Sequence, residues 1–410
     1  MLKRFFLCYF LCFSLSICAS ISYQGYVGFQ QRLFDNQNLS AVNQSNLYSL
    51  SRLKVMYDNQ DISAILTVYS QVDSLDDSRS DLLVEEAFMT YMKDNLTLSA
   101  GLKKINWAAM EAFHPVDVIN SRYFDSDIKQ PIKYGEPMLH LSYALPAWTI
   151  NAYWLPLFKS PKYPSIKNRF RFSSAAMGQS FAYNPGGVQL TDNSVFQYAL
   201  RADTILDNGD ISFHILQHVD RSQPIFKFDP ISISLTQHYL TVTQYGGTIQ
   251  WLFGDITAKS EYSIRTFNNA NHATFGAIQR KNHMQFACGF EYPRYLENGH
   301  EWISLIEFQT YQGVSKSERA ELGFFQHDIL LGARYVFNDI AGTELLTSLI
   351  IDLERKNEQL FSASLSRRLF EKWRSECGIQ LVKAYKNPDE NGLQLLDKTD
   401  HIYLSMLYYF

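Results

Sequence analysis

The chain has 410 residues, 46% of them hydrophobic and 15% aromatic, and its 37 Lys and Arg against 41 Asp and Glu leave a formal net charge of -4. So small a balance excludes a partner held by bulk charge, nucleic acid above all. Length alone would suggest two or three soluble domains, yet no linker divides residues 20–410, which read as a single domain.

Residues 1–19 carry Lys3 and Arg4, an apolar run from Phe5 to Ile17, and Ala19 before Ser20, the pattern of a secretory signal peptide. Cys18 raises a lipoprotein signal, but Ile17 stands where a small residue is wanted, which argues against lipidation. Beyond this segment no apolar run reaches the ~18 residues of a membrane helix. Any membrane role must then be met by strands, which satisfy their backbone groups only in a closed barrel.

Period-2 alternation recurs along the whole chain and predicts strands near 22–34, 44–57, 61–72, 81–93, 95–107, 135–145, 147–155, 193–204, 208–219, 232–252, 255–267, 275–292, 299–311, 319–337, 341–355, 357–369, 372–386 and 400–410. The fold class is all-β, a transmembrane antiparallel β-barrel of about 18 strands, with 16 as the alternative count, even as single-chain bacterial barrels are. Short connections at Asp58-Asn59-Gln60, Asp94, Pro146, Leu206–Gly209, Gly254-Asp255 and Asn338–Ala341 alternate with longer ones at 35–43, 73–80, 108–134, 156–192, 220–230, 268–274, 312–318 and 387–399. Short periplasmic turns alternating with long external loops are the barrel pattern, and only the connection near Lys356 departs from it. Trp148, Trp251, Trp302 and Trp373 fall beside predicted periplasmic turns, with Trp107 and Trp154 at the opposite strand ends, as indoles seeking the two interfaces would.

Facing follows from the alternation. In 95–107, Leu96, Leu98, Ala100 and Leu102 take one side, and Thr97, Ser99, Gly101 and Lys103 the other. The same assignment gives pore-lining candidates Arg52, Lys54, Glu86, Lys103, Lys259, Glu261, Arg265, Glu307, Asp328, Arg334, Asp352, Arg368, Arg374 and Glu376. Buried in a dry core, unpaired charges of both signs would be strongly destabilising; a watered lumen removes that cost.

Between the fifth and sixth predicted strands lies Gly101-Leu102-Lys103-Lys104-Ile105-Asn106-Trp107-Ala108, followed by Glu111–Arg122. With Glu86-Ala87-Phe88 upstream and Trp148–Pro156 downstream, the stretch resembles an uncharacterised family of porin-like outer-membrane barrels. That family carries G-R-Q-x-I-x-W-G and then P-x-D-x-x-N-P-R-D, and is akin in architecture to alginate-export-type barrels. Gly101, Ile105, Trp107, Phe113, Pro115, Asp117, Asn120 and Arg122 match; Leu102-Lys103, Ala108, Ser121 and Tyr123 depart. The resemblance covers about 81–160 and brings no catalytic residues with it. Asp and Asn favour turns and Arg can fork onto carboxylates. Trp107, Phe113, Pro115, Asp117, Asn120 and Arg122 are therefore candidates for a loop, 108–134, that either folds inward as a constriction or is pinned on the rim.

The last ten residues place Ile402, Leu404, Met406, Tyr408 and Phe410 on one face. This terminal strand resembles the closing strand of bacterial outer-membrane barrels, which implies the barrel assembly machinery as a partner, with outer-membrane lipid and lipopolysaccharide around the wall. No H-E-x-x-H, G-x-S-x-G, C-x-x-C or Walker pattern occurs, so no enzyme, metal or cofactor is expected. His214 and His218 share a face but lie ~13 Å apart, too far to grip one metal. Asp73, Asp76, Asp77 and Asp81 read as a solvated acidic loop. Cys288 and Cys377, on the twelfth and seventeenth strands, should be unpaired, about 24 Å apart around the wall.

The function expected from this pattern is a channel in the bacterial outer membrane, through which small solutes diffuse along a polar lumen narrowed by 108–134. The alternatives are a substrate-specific uptake or export barrel for a hydrophobic or uncommon carbon compound, and a structural or adhesive surface barrel.

Overall fold

The computed structural model describes residues 20–35, 45–124, 131–165, 167–170, 182–183, 188–190, 196–355, 358–384, 392–396 and 398–410. The expected leader 1–19, Lys356 and 125–130 of the long loop lie outside the described residues.

The wall consists of β1 (Ser20–Phe34), β2 (Ser45–Asp58), β3 (Ile62–Asp73), β4 (Asp81–Lys93), β5 (Leu96–Lys103), β6 (Glu136–Ala144), β7 (Thr149–Leu155), β8 (Gln197–Leu206) and β9 (Gly209–Val219). It continues through β10 (Ser234–Phe253), β11 (Ile256–Asn268), β12 (His283–Tyr295), β13 (Glu301–Gln312), β14 (His327–Val336), β15 (Glu344–Asp352), β16 (Gln359–Arg368), β17 (Trp373–Lys383) and β18 (His401–Tyr409). Each strand pairs antiparallel with the next, and β18 returns to β1 from Tyr26↔Tyr409 to Phe34↔His401, closing an 18-strand barrel. Closure leaves the ring without an edge strand.

The alternation read from the sequence is the alternation of the two faces. Leu53, Leu98, Phe213, Ile249, Ile306, Leu365 and Leu404 are exposed on the outside, while Thr67, Ser99, Ser212, Ser263 and Gln309, which belong to the opposite parity, are buried. One bulge breaks the period. Thr67 pairs with Glu86 and Val68 with Val84, so Glu85 is an extra residue, buried between them.

Tight turns join β2–β3, β4–β5, β6–β7, β8–β9, β10–β11, β12–β13, β14–β15 and β16–β17, and longer connections join the other neighbours. The connection between β15 and β16, residues 353–358, is the expected departure from this parity, since it is no longer than the turn 337–343 between β14 and β15. Several boundaries differ from the sequence expectation, three of them for a visible local reason. β5 stops at Lys103, because the chain leaves the wall there; β12 begins only at His283, after a small hairpin of Ala270–His272 with Gly276–Ile278; and β14 begins at His327, after a helix, α1 (Lys316–Ala320). Ser315 and Glu318 form a capping box that starts α1 in the expected loop 312–318, and the helix runs on through Arg319 and Ala320, where the alternation suggested the strand had begun. The N-terminal part of β10 rises beyond the ring and pairs there with Ile225–Asp229 and, in parallel, with Ala182–Tyr183 and Val188–Leu190. Cys288 on β12 and Cys377 on β17 are both free, with five strand steps between them.

Candidate functional site

The segment after β5 does not stay at the rim. Ile105, Trp107, Val116, Val118 and Ile119 pack in one buried cluster with Met138 of β6, Tyr153 and Leu155 of β7, Ala199 of β8 and Leu216 of β9. Met110 and Phe113, between those residues in sequence, pack instead with Ala287 of β12, Leu330 of β14, Ile350 of β15, Leu360 of β16 and Val382 of β17. The chain thus crosses the lumen and returns. An 18-strand ring at ~4.8 Å per strand is about 28 Å across before strand tilt. Strand tilt widens it further, and the eight residues from Lys104 to Glu111 reach at most ~26–29 Å, so the segment meets side chains that project inward from the far wall and not the wall's own backbone.

A buried irregular segment carries backbone N–H groups that no ladder satisfies. Two wall carboxylates take them. Glu261 of β11 accepts from the backbone N–H groups of Ala109 at 2.6 Å, Met110 at 2.9 Å and Val116 at 3.4 Å. Glu307 of β13 accepts from Glu111 at 2.6 Å, Ala112 at 2.9 Å and Phe113 at 3.4 Å. Both glutamates have 0% exposure, so they face the loop and not open solvent.

The base of the crossing is tied by the motif residues. Asn120 accepts from the Ile105 N–H at 2.8 Å through Oδ1 and donates through Nδ2 to the carbonyls of Tyr134 at 2.8 Å and Lys103 at 3.1 Å. Asp117 pairs with Arg122 at 3.0 Å and Lys133 at 2.5 Å, and Pro115 is buried beside it. Burial pulls the Lys133 ammonium below its usual value, with Asp117 opposing. Burial likewise takes His114 down to about 4, with Asp117 opposing, so its imidazole is neutral at pH 7. Gly101 opens the motif at φ 131, and a Cβ there would stand 2.3 Å from the Ala87 carbonyl oxygen. Trp107, expected at a membrane interface, is instead 4% exposed; its ring lies against Tyr153 and His214, with the Arg201 guanidinium over it. Its alternation fitted either place; the end of β5 at Lys103 decides for the lumen.

The other sequence candidates fall into three groups. Arg52, Lys54, Glu86 and Lys103 stand on the β2–β5 wall, where the bulged Glu85 pairs with Arg52 at 2.8 Å and with Lys104 at 2.7 Å. Arg265, Asp328 and Asp352 are buried under external loops: Arg265 pairs with Asp220 at 2.7 Å, Asp328 accepts from the Gln326 N–H, and Asp352 accepts from the Arg355 N–H at 2.7 Å. The third group lies around and beyond the loop tip. Lys259 bridges Glu111 of the tip and Glu291 of β12, Arg334 and Glu376 line a cavity there, and Arg368 and Arg374 are exposed at the β16–β17 turn.

What the crossing leaves open lies along β1–β3 and β12–β18. A cavity of about 250 Å³ is bounded by Tyr26, Tyr48, Tyr69, Phe170, Gln380 and Tyr403 among others. A second, of about 380 Å³, shares Leu346, Ser364, Glu376 and Tyr403 with it and reaches Glu111 and Ala112 of the loop tip. Sequence reading missed Glu85, Gln380, Tyr403 and Phe170. Parity marks Gln380 and Tyr403 as inward, but nothing local marks them as neighbours of Tyr69 or Phe170.

No protein-family model matches the chain, and no curated protein matches it. Among solved structures, OccK5 (OpdH) of Pseudomonas aeruginosa is similar at a TM-score of 0.51 and 11% identity, over 96% of this chain and 98% of that one. A mutant of the Rh. blastica porin (TM-score 0.47, 11% identity, 95% of this chain and 100% of that one) and the Salmonella typhi OmpF complex with daunomycin (0.47, 11%, 95% and 97%) are also similar. At such identity the OccK5 likeness speaks to the fold alone.

Proposed function

We propose that the protein is an outer-membrane channel through which small solutes diffuse, along a path narrowed by the loop between β5 and β6. The observation that carries this is the crossing segment, fixed to the far wall by Glu261 and Glu307 through six backbone N–H groups. A barrel serving only as a surface scaffold gains nothing from a lumen loop held so firmly to one side while a polar crescent stays open on the other. The exposed apolar outer band fits a lipid-facing wall.

The motif from Gly101 to Arg122 supports membership of the uncharacterised porin-like family, and alginate-export-type barrels as more distant kin. On this reading the chain is a single barrel after removal of 1–19, is not an enzyme, and sits in the bacterial outer membrane among lipopolysaccharide. The assembly machinery would read the terminal strand, whose Phe410 exchanges two backbone hydrogen bonds with Gly25 of β1, at 3.0 and 3.1 Å. One observation favours the substrate-specific alternative: Phe170, Leu393 and Leu396, from the external connections, are buried inside the barrel.

Planar-bilayer recording with the purified protein tests the proposal. Steady unitary conductance is expected. Protein that inserts and shows heat-modifiable migration but passes no current refutes it.

A further inference from the structure

The 250 Å³ cavity has a lining unlike the rest of the lumen. Among the described residues its fixed charges are one Arg32 and one Glu376, which cancel. The Arg32 guanidinium lies over the Tyr48 and Phe170 rings at 5.8 and 5.2 Å, and Glu376 accepts the Tyr403 hydroxyl at 2.7 Å. Neither a net anion nor a net cation is therefore favoured there.

The remaining polar groups are amides, hydroxyls and the His401 imidazole, whose Nδ1 lies 2.7 Å from the Thr399 carbonyl oxygen, set among aromatic and aliphatic side chains. Gln71 is held by the Tyr69 hydroxyl at 2.8 Å and donates to the Arg79 carbonyl at 3.2 Å, so it is fixed in place. Gln380 differs. It is 7% exposed, lines the same cavity, and its Nε2 has no hydrogen-bond partner among the described residues. A buried amide donor without a partner is costly, and an acceptor on a solute recovers that cost. The volume has room for about eight waters, the scale of one substituted ring and not of a chain. Apolar ring faces suit aromatic walls, and hydroxyls suit amides and a carboxylate.

We infer that the space between Gln380, Tyr403, Tyr69 and Phe170 is a binding site for a single neutral, hydroxylated ring of the monosaccharide class, met by the solute on its way through the lumen. The site deepens the channel reading and rests on it only for its setting.

The test uses three solutes with one ring and different charge: glucose, glucuronate and glucosamine. Calorimetry on the full-length protein in detergent measures binding, and interruption of the bilayer current measures occupancy in passage. Glucose is expected to bind and to interrupt the current, with glucuronate and glucosamine weaker. Gln380→Leu should raise the apparent Kd for glucose roughly tenfold, the scale of one hydrogen bond. Gln380→Glu, nearly isosteric, should shift preference toward glucosamine, and it carries the test if the leucine variant does not assemble. The inference is overturned if glucose does not bind, if either charged sugar binds at least as well, or if Gln380→Leu leaves the glucose Kd unchanged and Gln380→Glu leaves the order of the three sugars unchanged. A protein that passes no current yet binds glucose through Gln380 would refute the channel and leave the site standing.

Discussion

Replacing Glu307 with Ala removes the acceptors for the N–H groups of Glu111, Ala112 and Phe113 while leaving the ladder of β13 untouched. The two short bonds, at 2.6 and 2.9 Å, involve a charged acceptor. At about 1.5–3 kcal/mol each they hold the tip by about 3–6 kcal/mol. Burial of Met110 and Phe113 contributes a similar amount, about 1.5–3 kcal/mol per side chain. Ordering the five backbone residues 109–113 opposes both by about 5–10 kcal/mol. Apolar burial alone therefore falls short, and the carboxylates, Glu307 together with Glu261 on Ala109 and Met110, decide how firmly the tip stays docked. Glu307→Ala should raise the undocked fraction by about 10²–10⁴-fold. Single-channel recording should show larger and noisier openings, from protein that still migrates as a folded barrel. Glu307→Gln keeps one acceptor oxygen and should lie between the two. If Glu307→Ala matches the wild type in conductance and open-channel noise, the docking argument is wrong.

Asp117→Ala together with Arg122→Ala should loosen the base of the same loop, since Asp117 pairs with both Arg122 and Lys133; altered ion selectivity in the bilayer is the readout, and no change would count against a constricting role. His114 gives a pH dependence of definite sign. Its pKa of about 4 when docked lies below the ordinary 6.5, so the undocked loop binds protons more readily; docking is at full strength above about 6.5 and weakens as pH falls toward 4, by up to about 3 kcal/mol. Current noise should rise over that window, and His114→Asn should remove that part of the rise. Deleting Phe410, or replacing it with a charged residue, should stop barrel assembly while synthesis continues, checked by heat-modifiable migration; normal accumulation of assembled protein would contradict the role given to the terminal strand.

The sequence by itself determined the wall. A strand with lipid on one side and lumen on the other must alternate, so strand number, facing and the parity of turns and loops are local signals, each repeated around the ring. The twelfth and seventeenth places of Cys288 and Cys377 followed from simple counting. Where the alternation failed, a local feature without apolar signature intervened: the bulge at Glu85, the capped helix after Ser315, the departure of the chain after Lys103.

Tertiary structure alone decided the lumen. Ala109 finds Glu261 across 152 positions, and Glu111 finds Glu307 across 196. No periodicity separates those two glutamates from the other inward charges, because a carboxylate lining water and one capping a buried loop have the same spacing. The union of Tyr69, Gln380 and Tyr403 is of the same kind. These residues stand on β3, β17 and β18, and only closure of β18 onto β1 brings the first strands of the chain beside the last, where rings and amides enclose one space.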